Sequence, residues 1–173
     1  HLAAIVSGQA EAEYDLGMRV NLGGTNAVLA AARALGPQTC VIGTSSLAVY
    51  GHHASEPLTE ATAIQPCNTY GVTKAMAELV MADHRRRGWV DARTLRLPTV
   101  TVRPGKPNAA ASSFVSSIIR EPLAGLSAVC PVDASLALWV ASPDMAVQAL
   151  HHAPSVARQD WPDFGASMCL AFA

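Results

Sequence analysis

Two strand-like runs bracket a long helical stretch. Thr39 to Thr44 (TCVIGT) and Asp91 to Leu97 (DARTLRL) read as strands, and Thr69 to Arg87 between them reads as a helix closed by Gly88. Strands that alternate with helices build a parallel sheet, so the fold class is α/β. A second helix is expected from Asp15 to Leu35. Leu16, Val20, Thr25 and Leu29 fall near one face, Ala27 to Ala34 is strongly helix-forming, and Gly36-Pro37 ends it. Gly23-Gly24 inside that helix costs roughly 1 kcal/mol per residue against alanine. Such a pair often marks the close approach of a backbone or a ligand.

The remaining segments fit around this unit. The opening HLAA is short, apolar and followed by Ser7-Gly8, as a buried strand leaving its sheet would be. Ser45 to Asn68 reads as a long loop, of the length that is often functional, and Arg103 to Ala111 as another loop. A short helix from Ser112 to Glu121 is expected, with a serine N-cap and a stop at Pro122. Ser127–Cys130 and Leu136–Val140 are candidate short strands. Ser142, Pro143 and Asp144 mark a helix start: a cap, a proline at the first helical position and an acid in the first turn. The last twenty residues or so, after Ala153, show no clear periodicity.

Composition narrows the partners. Half of the residues are hydrophobic and 14% are charged, so the chain is expected to fold around a core. The formal net charge is −1, and the only basic block is Arg85-Arg86-Arg87, which argues against nucleic acid. No apolar run reaches the ~20 residues that span a bilayer, so no membrane partner is expected. Cys40, Cys67, Cys130 and Cys169 form no CxxC pair, and reduced thiols in a cytoplasmic protein are the expectation. His52-His53 and His151-His152 have no carboxylate or cysteine partners at ligand spacing, so no metal is expected. Trp139 and Trp161 read as core or interface residues.

The chemistry concentrates in three places. Tyr70 and Lys74 are four residues apart and share a helix face. A phenol has a pKa of about 10, and a neighbouring ammonium favours the phenolate. Such a pair can take a proton from an alcohol, although YxxxK alone also arises by chance. TSSLAVYG, Thr44 to Gly51, places the hydroxyls of Ser45 and Ser46 at the carboxyl end of a parallel strand, where open α/β sheets bind ligands. It reads equally as a strand exit capped by serines. Asn21, in VNLGGT, can bond backbone or water near this site, or lie on a helix surface.

Taken together and in order, HLAA, VNLGGT, TSSLAVYG, YGVTK and RLPTVTVRPG resemble the extended branch of the short-chain dehydrogenase/reductase superfamily, the NAD-dependent epimerase/dehydratase family, from His1 to about Ala153. The resemblance implies a Rossmann-like, doubly wound parallel sheet, here without its first βαβ unit, and part of a small C-terminal substrate domain. Residues 1–104 would be the later part of the NAD-binding domain, 105–153 a partial substrate region and 154–173 a divergent tail. The family's GxxGxxG turn does not occur in this sequence.

Within the branch, RLPTVTVRPGKPNAAASSFVSSIIREPLAG is similar to dehydrogenases that oxidise the C2 hydroxyl of four-carbon sugar acids such as D-erythronate with NAD. The resemblance implies Tyr70 as general base, Lys74 as its tuner and ribose ligand, Ser46 as catalytic serine with Ser45 beside it at the substrate, and Asn21 as support for the proton relay. Leu2, Ala3, Ala4, Pro98 and Thr99 would line the cofactor cleft, with Thr99 also at the substrate. Arg103 and Asn108 lie in the following loop. An acid substrate needs a fixed cation, and Arg103 can bind a carboxylate bidentately or form a structural salt bridge. Open alternatives are a nucleotide-sugar 4-epimerase and a non-catalytic fragment that binds no NAD. A homodimer through the two long helices is also implied.

Overall fold

A seven-residue parallel ladder organises the molecule. The computed structural model describes residues 1–51, 58–59, 61–105, 110–162 and 166–168. Strand β1 (Cys40–Ser46) pairs with β2 (Asp91–Leu97) along its whole length, from Cys40↔Asp91 to Ser46↔Leu97. The connection between them is α4 (Thr69–Arg86), the helical crossover that parallel strands require. Asn68 caps α4, its Oδ1 accepting from Gly71 N at 2.8 Å, and Gly88 turns the chain at φ +70°. A third parallel strand, β5 (Ser167–Met168), pairs with the far edge of β2. Beside this sheet β3 (Thr99–Val100) and β4 (Val140–Ala141) form a separate parallel pair.

Helices cover both faces of the β1-β2-β5 sheet. On one face α3 (Gly24–Leu35) and α4 pack Leu29, Ala32 and Met81 against Val41, Val90 and Ala92. On the other, α6 (Pro143–His152) and the segment after it bring Ala149, Ala153 and Trp161 onto Leu95, with Ile42 and Leu97 alongside. The expected α/β class with a doubly covered parallel sheet is what the chain adopts. Start signals at α6 act as read: Ser142 Oγ accepts from Met145 N at 3.1 Å, with Pro143 in the first turn.

Several expectations change. The opening residues 1–6 form no strand. They run extended, and the His1 nitrogen donates to Ile42 O at 2.7 Å. A helix α1 (Ser7–Ala12) follows, then α2 (Tyr14–Gly17), a π-helical stretch (Met18–Gly23) and α3. Among the described residues the Gly23-Gly24 pair has no close neighbour. A Cβ at Gly23 would come no nearer than 3.8 Å to Met18 O, and at Gly24 would meet nothing within 4 Å. Strand β1 continues through Ser46, and Leu47–Tyr50 forms a 3₁₀ turn where a loop was expected.

Helix α5 spans Phe114–Leu123, and no serine side chain caps it. Pro122 lies inside its last turn instead of stopping it. Neither Ser127–Cys130 nor Leu136–Val140 forms the expected strand, and only Val140 enters β4. A run of apolar residues becomes a strand only beside an edge, and Val129 and Leu136 lie exposed.

The segment after Ala153 is built into the sheet by arginines rather than by a periodic pattern. Arg93 Nη1 donates to Ala153 O at 2.5 Å and Val156 O at 2.7 Å, while its Nη2 pairs with Asp91 at 2.6 Å. Arg85 bridges Asp91 to the carbonyls of Arg158 and Trp161. The buried Trp161 ring lies under the Arg93 guanidinium, 5.4 Å away. Among the described residues no helix is long and apolar enough to cross a membrane, and no group of three metal-binding side chains occurs. His52 and His53 lie outside the described residues.

Candidate active site

The carboxyl end of β1 meets the start of α4 across a cleft of about 520 Å³. Pleating sends successive side chains to opposite faces, so the two serines part. Ser46 turns to the cleft. It lies with Tyr70 on the cleft wall, and its Oγ accepts from Ala48 N at 3.2 Å. Ser45 is buried, and its Oγ has no hydrogen-bond partner among the described residues.

Close backbone packing sets the Ser46–Tyr70 relation. A Cβ on Gly71 would sit 2.3 Å from Ala48 O. With no side chain there, the first turn of α4 rests directly on the serine turn. Gly51, at φ +66°, makes a similar approach, where a Cβ would lie 1.9 Å from Gln65 O.

Lys74 lies beneath, 8% exposed. Its Nζ donates to Thr44 O at 2.8 Å and stands 5.6 Å from the centre of the Tyr70 ring. Burial pulls the ammonium down to about 8, and the Glu78 carboxylate opposes that fall. The Tyr70 phenol differs from the expectation. Burial raises its pKa above the usual 10, the Ser46 hydrogen bond pulls the other way, and Lys74 contributes no resolved lowering.

The other sequence candidates divide. Pro98, Thr99 and Arg103 line the cleft with Tyr70, Ser45 and Ser46. No ion pair engages Arg103 among the described residues. Its main chain is fixed instead, the N–H donating to Ser116 Oγ at 3.0 Å and the carbonyl accepting from Arg120 at 2.6 Å. Leu2 is 65% exposed, and Leu2, Ala3 and Ala4 are not part of the cleft wall, which on that side is Val6 and Ser7. Asn108 lies outside the described residues.

Asn21 is 3% exposed within the π-helical stretch. Its Oδ1 accepts from Ile5 N at 2.8 Å, and its Nδ2 donates to Ile5 O and Thr73 Oγ1. It therefore ties the opening segment to α4 and does not line the cleft itself.

Sequence reasoning missed Ser7, whose Oγ accepts from Ala111 N at 3.1 Å and links α1 to the segment before α5. The Ser-Gly after the apolar run was the available signal. It also missed Glu78 and Arg96, a buried pair under the site. A second cleft, of about 480 Å³, is lined by Arg85, Arg86, Arg158 and Gln159. Its arginines are committed to Asp91, Asp83 and the Pro37 carbonyl.

Residues 1–146 match the NAD dependent epimerase/dehydratase family. The chain is 59% identical over 150 residues to the D-erythronate dehydrogenase of Cupriavidus necator, covering 87% of this chain and 46% of that protein. It is 49% identical over 164 residues to the protein of the same name from Haemophilus influenzae, covering 93% and 52%. The chain thus spans about half the length of the curated relatives it matches. A nucleoside-diphosphate-sugar epimerase from Agrobacterium tumefaciens superposes with a TM-score of 0.90 at 43% identity, over 97% of this chain and 50% of that one.

Proposed function

The chain belongs to the NAD dependent epimerase/dehydratase family, and from that premise we propose that it oxidises the C2 hydroxyl of a four-carbon sugar acid such as D-erythronate, with NAD as hydride acceptor. The observation that supports this most directly is the placement of Ser46 and Tyr70 on one cleft wall, with the buried Lys74 5.6 Å from the Tyr70 ring centre. The family fixes the cofactor class, and the two sugar-acid dehydrogenases it resembles suggest the substrate.

The residues present fit the nicotinamide-ribose end of NAD. The cleft is open beside Pro98 and Thr99; Lys74 is buried behind the lining residues, holds Thr44 with one N–H and would keep two donors for ribose hydroxyls. Bound there, NAD would supply the acceptor for the C2 hydride. Ser46 orients the substrate hydroxyl. Tyr70, once ionised to the phenolate, removes its proton and becomes the neutral phenol, which returns the proton to solvent. Arg103, held by its main chain at the cleft wall, receives the carboxylate. Thr99 and Asn108 complete the substrate contacts, Ser45 supports the site from the buried side of the cleft wall, and Asn21 acts by holding the segment that bears Val6.

The test is NADH formation from D-erythronate by this chain, with Arg103→Ala expected to raise KM for the acid more than it lowers kcat. Turnover of a UDP-hexose instead would favour a nucleotide-sugar 4-epimerase, the reading suggested by the likeness to the Agrobacterium tumefaciens protein. Absence of NAD binding by calorimetry would reject catalysis by these residues alone.

The chain is further proposed to act in the cytoplasm and to pair through its two long helices. Ala27, Ala30, Ala31 and Ala34 of α3 and Val72, Met76 and Leu79 of α4 form exposed apolar rows. A Leu79→Glu variant would then sediment as a monomer where the parent sediments as a dimer.

A further inference from the structure

One turn beyond Lys74 on α4, Glu78 is buried at 3% exposure. Both of its oxygens are held by a single guanidinium. Arg96 Nε donates to Oε1 at 3.0 Å and Nη2 to Oε2 at 2.7 Å. The third arm of the fork, Nη1, donates to Tyr50 OH at 2.6 Å, and that hydroxyl donates to Thr59 O at 3.0 Å. The network therefore starts on β2, crosses α4 and ends on the 3₁₀ turn that follows Ser46.

A buried ion pair is a poor way to gain stability. Desolvating both charges offsets their attraction, and well-packed apolar replacements are often neutral or better. This one lies at i+4 from the lysine, the spacing at which helical side chains are neighbours. We propose that Glu78, locked by Arg96, is a positioning residue that keeps the Lys74 side chain protonated and directed at the β1 carbonyl edge beneath Tyr70.

This rests on the reading of Lys74 under the proposed function. A lysine buried to this degree tends to lose its proton, and a neutral amine would lose its charge and one of the three N–H donors, of which Thr44 holds one and two are left for ribose hydroxyls. Glu78 is the group that counteracts this. Among the described residues, three other charged or titratable groups face these side chains. Tyr70 lies on the same helix, the His1 amino group faces Lys74 as a like charge, and Arg96 approaches through Glu78 from β2. The bidentate fork gives the carboxylate no freedom to turn away, so its field on Lys74 is fixed.

The chain contains two lysines, Lys74 and Lys106, so its lysine side-chain carbon resonances can be titrated singly by NMR, with Lys74→Met assigning the signal. Lys74 is expected to titrate near 8 in the parent. In Glu78→Gln its proton affinity should fall by about tenfold or more, and in Glu78→Asp by less, with Lys106 unmoved. The double variant Glu78→Gln/Arg96→Met removes both partners together, so that no charge is left buried without its counter-ion, and it should lower Lys74 as well. An unchanged Lys74 titration in either folded variant overturns the proposal. The readout needs neither cofactor nor turnover, so its failure and the failure of the dehydrogenase reading are separately visible.

Discussion

Asn21 and Thr73, far apart in sequence, meet at 3.2 Å where the π-helical stretch crosses α4. The same amide holds both main-chain groups of Ile5. Replacing Asn21 by alanine leaves a buried N–H, a carbonyl and a hydroxyl without this partner. A loss of about 2–3 kcal/mol is expected in urea unfolding, because buried unsatisfied groups cost about that much. Hydrogen exchange at Ile5 should accelerate by more than exchange in β2.

The free phenol of Tyr70 should stay protonated at neutral pH, since burial raises its pKa. The difference in phenolate absorbance between the parent and Tyr70→Phe should appear only above the usual tyrosine range of about 10. Ser46→Ala removes the hydrogen bond that opposes burial, so it should move this titration further up. A downward move would show that Ser46 does not stabilise the phenolate.

Lys74 titrates with the opposite consequence for stability. Its folded pKa of about 8 lies below the ordinary 10.5. The folded state therefore holds fewer protons than the unfolded chain between these values, and stability rises with pH across that window. Below pH 8 the cost is fully present, up to about 3 kcal/mol. Lys74→Met should be more stable than the parent at pH 7, and the gap should narrow towards pH 10. Melting temperatures measured across that range check both the sign and the window.

Gly71→Ala should damage the site through the backbone. The new methyl group would overlap Ala48 O, forcing the serine turn off α4 and parting Ser46 from Tyr70. Melting temperature should fall, and the Tyr70 titration should lose its sensitivity to Ser46→Ala. If the two substitutions shift that titration additively, the close approach does not set the pairing.

Short-range signals carried most of what the sequence revealed. β2 was read at its full extent from Asp91 to Leu97, and β1, α4 and α6 came within a few residues of their ends, because caps and glycines mark them chemically. Tyr70, Lys74 and Ser46 were legible because their spacing is local to a helix and a strand exit. The last segment was not, because what holds it is long-range. Arg93 and Arg85 grip carbonyl groups, and any residue supplies a carbonyl, so no side-chain pattern announces the attachment. Glu78 and Arg96 escaped for a related reason: a Glu on a helix and an Arg on a strand are ordinary until folding buries them together. The strands expected at Ser127–Cys130 and Leu136–Val140 failed because apolar content says nothing about whether an edge is available.

The grip of Arg93 on Ala153 and Val156 also sets an order of events on the ribosome. The strand that carries this guanidinium is made well before the carbonyls that receive it, and Leu95 precedes its partner Ser167 by a still longer stretch of chain. Until those later residues emerge, β2 has one bonded edge and a cation with only part of its coordination. The nascent chain should therefore resist protease only after residue 167 clears the exit tunnel, and chaperone contact should persist until then.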